Sequence, residues 1–194
     1  PAMKEAWQQK ILQGNQFTQS GQYMAALRTY DLALQENPNA WEAYLYKAKV
    51  YEHLNKSDQV IANYGLSMKM HPRQANAYLE RAAYFQRQNK PDQALYDLDE
   101  GLRVLPDNAD LRYARGNFYL AKQNYTQALE DFQWAKHVRP GMSRAYVQIA
   151  HCHFAQKNWS GYEMALGQLL DSGEKRVEVY MSRARVRLML KNGP

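Results

Sequence analysis

The chain has little of what marks a secreted, disulfide-linked or membrane-spanning protein. Its 194 residues include one cysteine, Cys152, so an intrachain disulfide is excluded. No apolar run is long enough to span a bilayer, and no signal peptide is visible. The single cysteine fits the cytoplasm, which we favour. Because Pro1-Ala2-Met3 resembles an expression remnant, we keep the periplasm as the alternative if an N-terminal signal or anchor has been removed. We expect no membrane insertion of this sequence.

Motifs of catalysis and of metal or phosphate binding are also lacking. The sequence has no HExxH and no glycine loop that would cradle a phosphate. His151, Cys152 and His153 are adjacent, but successive residues of a helix point about 100° apart and cannot converge on one ion. No base and orienting group accompany Cys152, so a packed cysteine is the better interpretation. We expect no enzyme activity, no cofactor, no metal and no small-molecule substrate.

What the chain does have is a constant interval between prolines. Pro38, Pro72, Pro106 and Pro140 are each separated by 34 residues. A fixed period over three intervals indicates an internal repeat. The last such repeat, ADLRYARGNFYLAKQNYTQALEDFQWAKHVRPGM from Ala109 to Met142, alternates small and aromatic residues before its proline. These residues are Gly116, Tyr119, Ala128, Phe132, Ala135 and Pro140.

The period and this layout resemble the tetratricopeptide repeat (TPR) family. The resemblance implies an all-α fold, a right-handed α-solenoid of stacked antiparallel helix pairs, with about eleven helices in one domain spanning residues 1–194. Each repeat then has a first helix A and a second helix B, and the small residues at positions 8 and 20 let the two approach closely. The prolines set the frame of repeats 7–40, 41–74, 75–108 and 109–142, a degenerate repeat 143–176 and a C-terminal capping helix 177–191.

Two positions of the repeat change charge together. In repeats one and two, position 7 on helix A and position 23 on helix B do not hold a pair of opposite charges. In repeats three and four they hold Arg81 with Asp97 and Arg115 with Asp131. We therefore predict an ion pair within each of these two repeats. Such a pair fixes the relative position of the two helices more surely than it stabilises the fold.

By the same resemblance, the A helices line a concave groove that binds a partner. The residues that this frame places in the groove combine aromatic area with amide and charged groups, as protein interfaces do. An alternative stays open for apolar residues such as Ile11 and Leu45, which could simply pack between repeats. The predicted partner-binding residues are Asn15, Tyr46, Lys49, Tyr113, Asn117, Arg144, Gln148, His151 and Arg185.

The function predicted from these observations is a non-catalytic scaffold that binds a peptide segment of a protein partner in the groove. The net charge of +6 lies entirely in residues 109–194, and Arg144 and Arg185 would bias that end toward an acidic segment. One alternative is a self-assembling structural protein whose end repeats stack into a homo-oligomer. Another is nucleic-acid binding through the basic half, which is the weaker one because the arginines of repeats three and four are explained by internal pairing.

Overall fold

The structure, a computed structural model, describes residues 5–192 and shows a protein built of helices. The Pro1-Ala2-Met3 segment lies outside these residues. Between residues 5 and 192 there is no strand, and no helix there is long and apolar enough to cross a membrane. The helices are α1 (Ala6–Gln19), α2 (Tyr23–Glu36), α3 (Trp41–His53), α4 (Ser57–Met70), α5 (Ala75–Arg87), α6 (Pro91–Val104), α7 (Ala109–Ala121), α8 (Tyr125–Val138), α9 (Ser143–Ala155), α10 (Trp159–Asp171) and α11 (Val177–Asn192).

The predicted all-α fold of antiparallel helix pairs is confirmed. Short turns join each A helix to the B helix that packs against it, as in α1 with α2, α3 with α4, α7 with α8 and α9 with α10. Local sequence helps to start several helices. Pro91 is the first residue of α6, where its missing N–H costs nothing. The Asn108 side chain caps α7 by accepting a hydrogen bond of 2.9 Å from the Leu111 N–H.

Three of the A helices are followed by a residue with a left-handed backbone conformation. Asn55, Asn89 and Gln123 have φ of 54°, 55° and 58°. A left-handed residue closes a helix, so α3, α5 and α7 stop two residues before them. Lys157 (φ 56°) and Gly21 (φ 74°) occupy the same place in the turns after α9 and α1. All five residues lie at repeat position 15. The repeats therefore share the turn geometry, although Gly21 is the one glycine among these five residues.

The structure divides into two compact units, one up to Asp97 and one from Leu98 onward. The core of the N-terminal unit surrounds the fully buried Tyr30, which packs with Ile11, Leu27 and Val50. The C-terminal unit has a core around Phe132 that extends through α9 and α10 to α11, with the residues Ala128, Phe132, Ile149, Ala150, Cys152, Ala165, Leu166, Leu169 and Val179.

In repeats one and four, the glycine at position 8 lies directly against the ring at position 24. A Cβ at Gly116 would be 2.7 Å from Cε1 of Phe132, and Gly14 faces the Tyr30 ring in the same way. The aromatic residue therefore takes part in the close contact between the two helices, because the absence of a side chain at position 8 leaves room for a ring.

Both predicted ion pairs are confirmed. Arg81 donates to Asp97 at 2.8 and 2.6 Å, and Arg115 donates to Asp131 at 2.8 and 2.9 Å. Both aspartates are 1% exposed, so each carboxylate is buried with its partner. Arg112 also donates to Asp131 at 3.1 Å.

A second set of ion pairs joins successive repeats and was not predicted. Arg115 also donates to Asp99 at 2.7 Å, and Lys47 donates to Asp31 at 2.5 Å. In each case position 7 of one repeat binds position 25 of the repeat before it. Arg115 thus ties α7 to its own helix B, α8, and to the preceding helix B, α6.

Candidate partner-binding surface

In the C-terminal unit, three predicted binding residues come together on α7 and α9. The guanidinium of Arg144 lies over the Tyr113 ring, with Cζ 4.6 Å from the ring centroid. Gln148 Nε2 donates to the Tyr113 hydroxyl at 3.5 Å. Arg144 also bonds to Asp110, which accepts a second arginine, Arg139, at 2.9 Å. The charge of Arg144 is therefore partly balanced within the protein.

Tyr113 has a structural role in addition to any role in binding. It is half-buried, its ring centroid lies 5.6 Å from that of Phe132, and it packs against the apolar core of this unit. Removing this side chain would disturb the core, so Tyr113 is a poor position at which to test binding alone.

The remaining three predicted residues of this unit have no polar partner among the described residues. Asn117 is half-buried, whereas His151 and Arg185 are exposed. They lie 34 residues apart and each occupies position 9 of its A helix. Residues at one position of successive repeats face the same way in a stack of repeats. The three side chains therefore offer free donors and acceptors on one face of the C-terminal unit.

An open cleft adjoins His151. It has a volume of about 540 Å³ and lies among α9, α10 and α11. Two apolar side chains on its α9 wall are partly open to solvent, Val147 at 38% and Phe154 at 52%. Phe154 is held by edge-on ring contacts to Trp159 and Tyr162, at centroid distances of 5.6 and 5.3 Å. The other lining residues are Ala150, Leu166, Leu169, Arg176, Glu178, Val179 and Ser182.

The two neighbours of His151 along the chain are placed quite differently. Cys152 is fully buried, and burial raises the pKa of its thiol to about 11, so the thiolate is disfavoured at neutral pH. His153 is half-buried beside Asn158, and burial lowers the pKa of its imidazole. The three side chains point in separate directions, and within residues 5–192 no cluster of potential ligands is arranged to hold a metal ion.

In the N-terminal unit the predicted binding residues are engaged with one another or with their neighbours. Asn15 Oδ1 accepts from the Tyr30 hydroxyl at 2.6 Å, and the Tyr46 ring stacks on Tyr30 at 6.0 Å. Lys49 Nζ binds Glu80 at 2.5 Å. Sequence reasoning missed the role of Glu80, although an acid at position 6 one repeat after a lysine at position 9 was the available signal.

The C-terminal helix packs on α10 through a charged cluster. Arg183 and Arg187 both donate to Glu163 Oε1, at 2.8 and 2.7 Å. The hydrogen bonds from Arg183 and then Arg187 hold the pKa of the Glu163 carboxyl below its ordinary value. Arg185, between them in sequence, points to solvent and keeps its charge uncompensated by any described acid.

A family model described as tetratricopeptide repeat matches residues 11–59 and 79–142, which is more than half of the chain. The chain belongs to the tetratricopeptide repeat family. TPR proteins generally mediate protein–protein interactions through scaffolds that are typically non-catalytic. No curated protein sequence matches this TPR protein.

Several solved structures share the fold of this TPR protein. PilF of Pseudomonas aeruginosa has a TM-score of 0.73 and 15% identity, over 96% of this chain and 85% of that one. PilW, a type IV pilus biogenesis factor, has a TM-score of 0.68 and 14% identity, over 98% and 89% of the two chains. YrrB, a TPR protein with an unusual peptide-binding site, has a TM-score of 0.64 and 16% identity, over 95% and 99%. At these identities the similarity shows the fold alone.

Proposed function

We propose that this TPR protein is a non-catalytic scaffold that binds a peptide segment of a partner protein along the A helices of its C-terminal unit. One observation carries the proposal. Asn117, His151 and Arg185, polar side chains that have no partner within residues 5–192, recur at position 9 of successive A helices, and His151 opens onto an apolar cleft. Free hydrogen-bonding groups beside exposed apolar surface are what a peptide site requires.

The cleft supplies the place for an anchoring side chain. Its volume of about 540 Å³ lies within the usual range of binding pockets, roughly 300–1,000 Å³. Val147 and Phe154 expose apolar surface there, so an aliphatic or aromatic residue of the partner would remove that surface from water. The amide of Asn117 can both donate to and accept from the partner's main chain, which would set the register of the bound segment.

The arginines at this end of the groove differ in whether an acid of the protein already balances their charge. Arg185 has no described acidic partner, whereas Arg144 shares Asp110 with Arg139 and Arg176 pairs with Glu174. We therefore assign the acidic preference chiefly to Arg185. Asn15, Tyr46 and Lys49 of the N-terminal unit remain proposed contacts of lesser weight, because Asn15 and Lys49 are hydrogen-bonded and Tyr46 is stacked internally.

The pairing of the arginines argues against nucleic-acid binding as the function. Phosphate contacts need arginines that are free to reach the backbone of a nucleic acid. In the basic half of the chain most of the arginines instead bind carboxylates, namely Arg112, Arg115, Arg139, Arg144, Arg176, Arg183 and Arg187.

The test selects peptides from a random displayed library on the immobilised protein and measures their affinities by fluorescence anisotropy. Val147→Asp should weaken the selected peptides at least about tenfold, equal to about 1.4 kcal/mol, because it places a charge in the apolar cleft. Met164→Asp is the matched control, since Met164 is also an exposed apolar residue (59%) but does not line the cleft. Asn117→Ala should weaken the same peptides without a large loss of stability.

Two outcomes would contradict the proposal. In one, no peptide is enriched on this protein more than on an unrelated helical protein. In the other, selected peptides bind Val147→Asp and Asn117→Ala as tightly as the parent, and the binding surface then lies elsewhere.

A further inference from the structure

The last helix, α11, continues the repeat frame as a sixth helix A. It begins at Val177, one residue after the fifth repeat ends, so Arg183 falls at position 7 and Ala184 at position 8. Position 8 is small in every repeat. The first five of these residues are buried and the last is exposed: Gly14, Ala48, Ala82, Gly116, Ala150 and Ala184.

In a complete repeat, helix B is what buries position 8. Gly116 is covered by Phe132 of α8, whose ring would meet a Cβ at 2.7 Å. The residue before that ring, Asp131, binds Arg115 at position 7 with distances of 2.8 and 2.9 Å. In repeat four, the helix that covers helix A thus carries an acid followed by an aromatic residue.

The inner side of α11 is docked as an A helix should be. Arg183 lies across Gly167 of α10, where a Cβ would come within 2.6 Å of Nη2, as Arg81 lies beside Gly65 at 3.3 Å. Arg183 also binds Glu163 of α10 at 2.8 Å. The packing of α11 on the preceding helix B is therefore complete, and what remains open is the face that would receive a helix B of its own.

That open face has the chemistry of an unfilled helix–helix contact. A depression of about 390 Å³ runs along it, with Tyr180, Ala184 and Leu188 in line at four-residue spacing. Tyr180 is 52% exposed and Leu188 is 61% exposed, so the stripe is apolar and open to solvent. Arg187 and Lys191 lie along the same depression. We call these five residues the α11 acceptor face.

We propose that the α11 acceptor face docks an acidic amphipathic helix of a partner protein, which takes the place of a helix B. Three cations border this face, Arg183, Arg187 and Lys191, and among the residues that the structure describes one acid, Glu163, binds two of them. The surplus positive charge favours an acidic partner helix. Repeat four supplies the register, since the partner's ring would lie on Ala184 and its preceding acid near Arg183, as Phe132 and Asp131 do on Gly116 and Arg115.

This docking is independent of peptide binding in the cleft beside His151. The cleft uses Glu178, Val179 and Ser182 of α11, whereas the acceptor face uses Tyr180, Ala184 and Leu188. The two surfaces share no residue, and each can be altered without changing the other.

The experiment uses the protein's own α8 sequence as the probe, because α8 is the helix that covers the equivalent face of α7. The probe is a capped peptide of residues 125–138. Because a helix of this length is only marginally stable alone, the peptide is cross-linked through positions 133 and 137, which are exposed in α8 and one turn apart. It is titrated into the ¹⁵N-labelled full chain. We expect amide shifts centred on Tyr180, Ala184 and Leu188.

Two protein variants and two peptide variants test the contact. Ala184→Glu, at an exposed position, should weaken binding at least tenfold, because it adds bulk and negative charge to the acceptor face. Met181→Glu is the matched control: it makes the same charge change on an exposed residue of α11 outside the depression, and binding should stay within about twofold of the parent. In the peptide, Phe132→Ala and Asp131→Lys should each weaken binding at least tenfold.

The proposal is overturned if the parent peptide shows no binding at about 1 mM. It is also overturned if the peptide binds Ala184→Glu as tightly as the parent, or shifts residues of the cleft in place of the acceptor face. Sedimentation equilibrium tests whether a second copy of the chain fills the face instead. A concentration-dependent mass that Ala184→Glu abolishes would show this, and would overturn the proposal of a partner helix.

Discussion

Gly116 on α7 faces the ring of Phe132 on α8 so closely that a Cβ at Gly116 would lie 2.7 Å from Cε1 of that ring. Both residues are buried, so the ring has little space into which it could move. The next repeat solves the same problem differently, with Ala150 at position 8 and Leu166 at position 24, both buried. The size of one residue is therefore matched to the size of the other within each repeat.

This relationship predicts a coupling between the two positions. Gly116→Ala should cost about 1–3 kcal/mol through overpacking, offset by about 1 kcal/mol from the better helix propensity of alanine. Phe132→Leu alone should also destabilise, since it leaves a cavity. The double variant reproduces the Ala150–Leu166 arrangement and should be more stable than the sum of the two changes by at least about 1 kcal/mol. Urea unfolding of the four proteins measures this, and additive effects would contradict it.

The buried pairing of Asp131 predicts a large effect of its removal. Asp131 is 1% exposed and accepts from Arg115 and Arg112. Asp131→Asn should destabilise by about 3 kcal/mol, the low end for a broken buried pair, because Arg115 keeps Asp99 as a partner.

The matched control for Asp131→Asn is Asp31→Asn. The Asp31 side chain is 55% exposed and binds Lys47. Because the Asp31 carboxylate is well exposed to solvent, its pair with Lys47 should contribute about 0–1 kcal/mol, so Asp31→Asn should have little effect. Thermal and urea unfolding of both variants measure the two losses in the free energy of unfolding. Equal losses would show that burial of an ion pair does not govern its contribution to stability.

The left-handed turn residue Gly21 predicts a purely conformational effect. Its φ is 74°, and a Cβ there would meet no atom within 4 Å. Gly21→Ala should destabilise by about 1 kcal/mol, since an alanine is strained in this region and gains no contact. Gly21→Asn should cost less, because Asn55 and Asn89 occupy the same turn position with φ of 54° and 55°. Urea midpoints rank the three proteins, and an alanine variant as stable as the parent would contradict the argument.

The cluster around Glu163 predicts a pH-dependent contribution to stability. Its pKa is lowered in the folded state by hydrogen bonds from Arg183 and Arg187. A carboxyl with a depressed folded pKa stabilises the fold at pH above its unfolded pKa and loses that contribution as pH falls through the folded value. Glu163→Gln should therefore destabilise modestly near pH 7, by at most about 1 kcal/mol for a solvent-accessible pair.

Unfolding by urea at a series of pH values tests the sign. The difference between parent and Glu163→Gln should be constant from about pH 7 to pH 5 and shrink as pH falls further through the folded-state pKa of Glu163. A difference that grows on acidification would contradict the assignment of the low pKa to these two arginines.

Local and periodic features could be predicted well from the sequence. The interval between prolines set the order and approximate length of the helices, and the joint change at positions 7 and 23 predicted the Arg81–Asp97 and Arg115–Asp131 pairs. These features depend on residues within one repeat, whose relative positions the helix geometry already dictates. The ends of the A helices were less predictable, because Asn55, Asn89 and Gln123 adopt a left-handed conformation that a periodic pattern does not reveal.

The candidate site divides in the same way. The repeat frame placed Asn117, His151 and Arg185 on equivalent positions, and their role in binding stays a prediction. It did not reveal that Arg144 lies over Tyr113, that Lys49 pairs with Glu80, or that Val147 and Phe154 border a cleft. The two contacts join side chains of different repeats, and the cleft lies among α9, α10 and α11, so all three depend on how the helices stack.

The amino-acid sequence by itself determined the repeat period, the helical class and the pairing of helices within a repeat, because each follows from spacing along one segment of chain. Tertiary structure alone decided which polar groups are already engaged and which are free. Ala184 shows the difference: its residue type and repeat position equal those of Ala150, yet Ala150 is buried and Ala184 is exposed. Burial is a property of what packs on a residue, and no residue carries that information in its own identity.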